Sequence, residues 1–108
     1  MKTIILIPIY NDRESLTKLI ENINSEIEGI NSEISVVVIN DASSQQIIDE
    51  YQNTENINSI KIINMKENRG HARCIASGLK YIFEKKEFDY VIPMDGDGED
   101  RPEEIKNF

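Results

Sequence analysis

The stretch TIILIPI, residues 3–9, is an unbroken run of apolar and largely β-branched side chains. A strand with one wet face alternates apolar and polar residues. A run without alternation fits a strand covered on both faces, as in a parallel sheet with helices above and below it. Pro8 and the polar Asn11-Asp12-Arg13-Glu14 that follow make the run too short for a membrane span, and no leader cleavage site follows it.

Outward from that strand the chain alternates. Leu16, Leu19, Ile20, Ile23 and Ile27 fall at helical spacing, with Asn11 and Glu14 as a capping pair and Gly29 as the stop. ISVVVIN, 34–40, is a second buried strand, and DASSQQIIDEY, 41–51, opens a shorter helix that Asp41, Ser43 or Ser44 would cap. INSIKIIN, 57–64, predicts a third strand. Ala72, Ile75, Ala76, Leu79 and Phe83 predict the apolar stripe of a further helix, and FDYVIPM, 88–94, a fourth strand that Pro93 ends. Gly78 within that helix costs ~1 kcal/mol against alanine, so close packing on the sheet is expected there. Strand–helix alternation predicts an α/β fold: a Rossmann-like open parallel sheet with helices on both faces. RPEEIKNF, 101–108, reads as the first turns of one more helix, which makes residues 1–108 the expected front portion of a longer domain.

Composition narrows the function. With 39% hydrophobic and 30% charged residues the chain can form a soluble core. Twenty acids against twelve bases, net −8, argue against nucleic acid and anionic membrane surfaces as direct partners. Cys74 is the single cysteine, so there is no internal disulfide and no multi-cysteine metal site. That fits a reducing compartment and makes the cytoplasm the expected location.

In open α/β sheets the ligand crevice lies beyond the carboxyl ends of the strands. The predicted ends carry Pro8, Tyr10, Asn11 and Asp12; Asn40, Asp41 and Ser43; Asn68, Arg69 and Gly70; and Asp95, Asp97 and Glu99. No glycine-rich turn follows the first strand and no P-loop occurs. An EF-hand reading of 95–106 fails, because Asp100 stands where glycine is needed and Lys106 where a bidentate glutamate is needed. What remains in MDGDGED, 94–100, is a D-x-D on an extended segment, where residues two apart point the same way. Two such carboxylates can share a hard cation, Mg2+ or Mn2+, that keeps positions open for substrate phosphates. Gly96 and Gly98 leave room for close approach. The plainer alternative is a solvated acidic turn; repulsion among Asp95, Asp97, Glu99 and Asp100 at a strand end weighs against it.

IPIYND, VVVINDAS, NRGHARCIASGL and VIPMDGDGEDRPEEI resemble, in order and spacing, the family two glycosyltransferases of the GT-A fold. The likeness is nearest to their polyprenyl-phosphate branch, where a D-x-D-x-x-x-x-P-E-x-I pattern is typical. The resemblance covers essentially the whole chain and implies the nucleotide-binding half of that fold. It implies that Pro8, Tyr10, Asp12 and Asp41 hold the nucleoside and that Asp95 and Asp97 engage the diphosphate and its metal. Asp97 is then the catalytic residue, acting through that metal, and Glu99 stands at a further metal-ligand position. A UDP- or GDP-sugar donor and a lipid-phosphate or saccharide acceptor are implied, with inverting transfer. The acceptor side, any base carboxylate and any membrane attachment would lie beyond residue 108, so the chain alone is expected to bind donor and metal without appreciable turnover.

The sequence departs from the family pattern at Asp12 (more often glutamate), Asn40 (aspartate), Ala42 (glycine) and Glu99 (glutamine). Asp12 and Asp41 also have helix-capping readings of equal weight. His71 reads as a first-turn helix residue, Arg69 and Arg73 as solvated rather than diphosphate-binding, and Cys74 as a small buried side chain. A non-catalytic interaction module and a sugar-nucleotide nucleotidyltransferase are the rival functions; the latter would carry a glycine-rich loop that IPIYND lacks. An uncovered sheet edge makes a homo-oligomer a further expectation.

Overall fold

In the computed structural model residues 2–10, 13–42, 54–68, 70–85 and 87–94 are described. Their elements are β1 (Lys2–Ile9), α1 (Arg13–Glu26), β2 (Glu33–Asn40), β3 (Ser59–Asn64), α2 (His71–Lys85) and β4 (Tyr90–Pro93). All pairings are parallel and the strand order is β3-β2-β1-β4. The helices expected within 41–51 and 101–108 lie outside the described residues.

β1 is buried from Thr3 to Ile9, as its unalternated sequence requires. Its two faces feed two cores. Ile5, Ile7 and Ile9 join Val36 and Val38 of β2 under Leu16, Leu19, Ile20 and Ile23 of α1. Ile4 and Leu6 join Val37 and Ile39 under Cys74 and Ile82 of α2. The opposite placement follows from crossover handedness. β1-α1-β2 moves one way across the sheet and β3-α2-β4 moves back, so two right-handed crossovers put their helices on opposite faces. Each fully buried Leu, Ile or Val adds ~1.5–3 kcal/mol of transfer free energy.

α1 ends where the sequence places its stop. Ile27 still donates its N–H to the Ile23 carbonyl at 3.0 Å, and Gly29 then takes the left-handed conformation at φ +80°. α2 corrects the expected stripe. Its sheet-facing residues are Cys74, Gly78 and Ile82, with Ile75 and Leu79 half-buried, whereas Ala72, Ala76 and Phe83 are exposed. The helix is rotated because it sits down on Gly78. A β-carbon there would stand 2.5 Å from Leu6 Cδ1 and 3.1 Å from Ile39 Cγ1, so the bare Cα must face the sheet. Phe83 instead meets Phe88 edge-on, with ring centroids 5.2 Å apart.

Two polar ties fix the loops. Asn24, buried on α1, accepts the Asn56 N–H at 2.7 Å through Oδ1, and its carbonyl accepts Asn56 Nδ2 at 2.9 Å. Leaving such a buried acceptor unsatisfied would cost about 1–3 kcal/mol, so the pair anchors the approach to β3. Toward the opposite edge of the sheet Lys2 N–H donates to Asp89 Oδ2 at 2.7 Å, and Asp89 N–H donates to the Lys2 carbonyl at 2.7 Å. The start of β4 is thereby pinned to the start of β1.

Candidate functional site

The strand order places a topological switch point between β1 and β4, where the chain reverses its direction of travel across the sheet. Helix crossovers leave the two faces in opposite directions there, so a crevice opens at the carboxyl ends. Pro8 and Tyr10 lie at that end of β1, Asp41 directly follows β2, and β4 ends at Pro93, one residue before the last described residue, Met94. Pro8 is buried beside Ile39, while Tyr10 is 53% exposed.

Pro8 has a physical reason to stand here. The Leu6 carbonyl accepts the Met94 N–H at 2.8 Å, so residues of Leu6's parity on β1 direct their polar groups toward β4. The next donor on that side would be the N–H of residue 8, and proline has none. The β1–β4 register accordingly ends at Leu6 opposite Pro93. The strand that reads as an unbroken apolar run thus carries its own stop, on one edge only, where the crevice begins.

The end of β2 is tied down by three hydrogen bonds, one to β1 and two to the end of β3. Asp41 N–H donates to the Ile9 carbonyl at 2.9 Å and Met65 N–H to the Asn40 carbonyl at 2.8 Å. Asn40 Nδ2 reaches Asn64 Oδ1 at 2.9 Å, which joins the ends of β2 and β3. Ala42 then turns the chain at φ 56°, a left-handed conformation that costs an L-residue roughly 1–2 kcal/mol. The site the resemblance marks as glycine in the family is thus one whose backbone asks for glycine.

Asp41 is 4% exposed. Its carboxylate does not rest in solvent: Oδ2 accepts the Gly70 N–H at 2.9 Å, and its carbonyl accepts Asn68 Nδ2 at 3.4 Å. Gly70 stands at φ +86° and its carbonyl accepts the Cys74 N–H at 3.1 Å, the first hydrogen bond of α2. Asp41 therefore sits at the amino end of α2, where the helix dipole favours an anion. Cys74, fully buried in that turn, has its thiol pushed up to about 12 by burial, by its hydrogen bond to Asp41 and by the charge of that carboxylate. The sequence places Gly70 among the residues at a strand end, but nothing in it shows that residue 70 meets residue 41. Arg73, one residue away, is exposed.

Asp12, Asp95, Asp97 and Glu99 lie outside the described residues, as does Arg69. Among the described residues no group of three His, Cys, Asp or Glu stands close enough to hold a metal ion. The chemistry of Asp95, Asp97 and Glu99 still fits one: hard oxygen donors suit Mg2+ or Mn2+, and Met94 leads into them from the carboxyl edge of the sheet. A groove of about 280 Å3 lined by Ser59, Lys61 and Lys85 opens at the amino ends of the strands, opposite the crevice. Among the described residues no helix is long and apolar enough to cross a membrane.

An open parallel sheet flanked by helices on both faces, with its switch point between β1 and β4, defines a doubly wound α/β protein. More narrowly, the chain belongs to glycosyl transferase family 2, whose model matches residues 4–108. The undecaprenyl-phosphate 4-deoxy-4-formamido-L-arabinose transferase of Proteus mirabilis is 32% identical over 107 residues, 96% of this chain and 31% of its own length. That of Pseudomonas fluorescens is 30% identical over 104 residues, 94% of this chain and 29% of its own. Among solved structures, S. aureus TarS in complex with UDP-GlcNAc superimposes with a TM-score of 0.68 at 25% identity, over 90% of this chain and 27% of TarS. The sheet is that of a GT-A glycosyltransferase. The chain spans less than half the length of the relatives it matches.

Proposed function

We propose that this chain binds the nucleotide-sugar donor, a UDP- or GDP-sugar, together with Mg2+ or Mn2+, for inverting transfer to a polyprenyl phosphate or a saccharide. The observation that carries this reading is the carboxyl edge of the sheet, where the ends of β1 and β2 bring Pro8, Tyr10 and Asp41 together next to the switch point between β1 and β4. The chain leaves β4 at the same edge toward the carboxylates in its sequence. The family and the UDP-GlcNAc complex of TarS support it. Tyr10, exposed beside a buried carboxylate, offers a ring face to a base, and Asp41 accepts hydrogen bonds from the nucleoside, a role Asp12 shares. Asp95, Asp97 and Glu99 hold the metal. When bound, it supplies Lewis-acid stabilisation to the departing diphosphate. An acceptor oxygen forms the new bond at the anomeric carbon as the bond to the diphosphate oxygen breaks, and an anionic lipid phosphate needs little help from a base.

The test is a thermal shift. Ligand at about 100 times its dissociation constant adds ~2.7 kcal/mol, and each kcal/mol moves the midpoint of a domain this size by roughly 4–8 °C. UDP or GDP with Mn2+ raises Tm, and Asp97→Asn removes the metal-dependent part. No shift with either nucleotide overturns the proposal.

A further inference from the structure

We infer that the groove at the amino ends of the strands, floored by Ser35, Ser59 and Lys61 and walled by Lys85 of α2, is a separate binding site for the phosphate group of a small soluble phosphate monoester. It lies at the opposite end of the strands from the donor crevice and does not rest on the nucleotide reading above.

The site follows from a change of character on the α2 face of the sheet. Ile4 and Val37 belong to the core under that helix, and side chains two residues apart on a strand share a face, so Ser35 is on it too. The register carries this face across to β3, pairing Ser35 with Ser59 and Val37 with Lys61. Toward the carboxyl ends Ile39 and Ile63 continue the apolar surface; toward the amino ends it gives way to two adjacent hydroxyls and an ammonium. α2 packs on β1 and β2 and ends at Lys85, which leaves Ser59 and Lys61 exposed beside its last turn. Asn58 Nδ2 reaches Ser35 Oγ at 3.5 Å and adds an amide to the same rim.

Charge sets the groove apart. Lys2, Lys61 and Lys85 against Glu33 and Glu87 give its lining one excess positive charge, in a chain whose net charge is −8. Glu87 is held by Lys2 at 3.3 Å, and Glu33 stands opposite Lys2 in the register. Among the described residues Lys61 and Lys85 form no ion pair. Two ammonium groups and two hydroxyls can all donate here, and a phosphate has enough oxygens to accept from each, with lysine acting as a point charge. The groove encloses about 280 Å3, at the small end of ligand sites, so the body that carries the phosphate is smaller than a nucleoside. The carboxyl end of α2 bears the negative end of the helix dipole, which Lys85 partly offsets. Lys61 is therefore the stronger of the two cations toward an anion.

The test is a titration of the full chain, followed by amide proton–nitrogen spectra, with glycerol phosphate and with inorganic phosphate. Ionic strength is held constant with sodium chloride, and EDTA is present so that no phosphate is held through a divalent metal at the acidic segment. Saturable shifts are expected at the Ser35, Ser59 and Lys61 amides, with the Asp41 and Gly70 amides unmoved. Lys61→Met is expected to weaken the affinity roughly 3- to 5-fold and Lys85→Met about twofold, the range of exposed charge pairs. Lys61→Arg, which keeps the charge, holds it within about twofold of the unmodified chain. Both lysines are exposed, so these variants keep the fold, which the unchanged remainder of each spectrum verifies. Shifts that grow without saturating overturn the site, and so does an affinity unchanged in Lys61→Met. Shifts centred on Asp41 and Gly70 overturn it as well, since the phosphate would then sit in the donor crevice.

Discussion

Gly78 of α2 lies so close to Leu6 of β1 that a β-carbon on the glycine would stand 2.5 Å from Leu6 Cδ1. A helix interior normally loses ~1 kcal/mol by having glycine in place of alanine. Here the balance reverses, because Leu6 is fully buried among Ile4, Val37 and Ile39 and both of its methyls, with Ile39 Cγ1, stand within 3.1 Å of the added carbon. Overpacking a core costs roughly 1–3 kcal/mol. Gly78→Ala is therefore expected to lower Tm despite its better helix propensity, and Gly78→Val to lower it further. An alanine variant that melts at or above the unmodified chain would show that the two elements can separate without loss.

Ala42 presents the opposite case. At φ 56° it occupies a conformation that its β-carbon disfavours, and the strain of roughly 1–2 kcal/mol exceeds the ~0.5–1 kcal/mol that glycine loses through its freer unfolded chain. Ala42→Gly should raise stability by less than about 1 kcal/mol, and a β-branched residue such as valine should lower it. Chemical denaturation with an unchanged m-value checks both signs. A glycine variant weaker than the parent would refute the strain.

Cys74 gives the stability a defined response to pH. Its folded pKa is raised from 9.0 to about 12, by burial first and then by Asp41, so the folded chain holds a proton that the unfolded chain gives up above pH 9. The stabilisation is fully present below the unfolded value and is lost as pH rises through the window from 9.0 to about 12. The loss approaches ~1.4 kcal/mol per pH unit within it. Lysines and tyrosines titrate in the same range, so the measurement is a difference: urea midpoints at pH 8, 9 and 10 should fall more steeply for the unmodified chain than for Cys74→Ala. Parallel curves would show that the thiol does not titrate differently in the two states. At pH 8 the thiol should also resist alkylation until the chain unfolds.

Much of this was legible locally. The unalternated runs of β1 and β2 announce two-sided cover, and the spacing of Leu16, Leu19, Ile20 and Ile23 gives α1 its core face, since both signals arise within a few residues. α2 was legible as a helix but not in its rotation. Alanines at 72 and 76 fit either environment, so the apolar stripe drawn through them and Phe83 is displaced, although the close packing expected of Gly78 is what it makes against Leu6. The site divides in the same way. Pro8, Tyr10 and Asp41 can be placed at strand ends from the sequence, and the structure brings them to one edge. The Asn24–Asn56 clamp and the hydrogen bond from Gly70 to Asp41 leave no local trace, because both join segments about thirty residues apart.

The sequence by itself determined the kind and order of the elements, because apolar periodicity and turn residues act over neighbouring positions. It also determined the acidic chemistry that follows β4. Tertiary structure decided which strands adjoin, which way α2 faces, and what holds Asp41. Those outcomes are set by pairings across long stretches of chain: 29 residues separate Asp41 from Gly70, and 87 separate Lys2 from Asp89. Only when the two crossovers close the sheet around β1 does the missing N–H of Pro8 become the edge of a crevice.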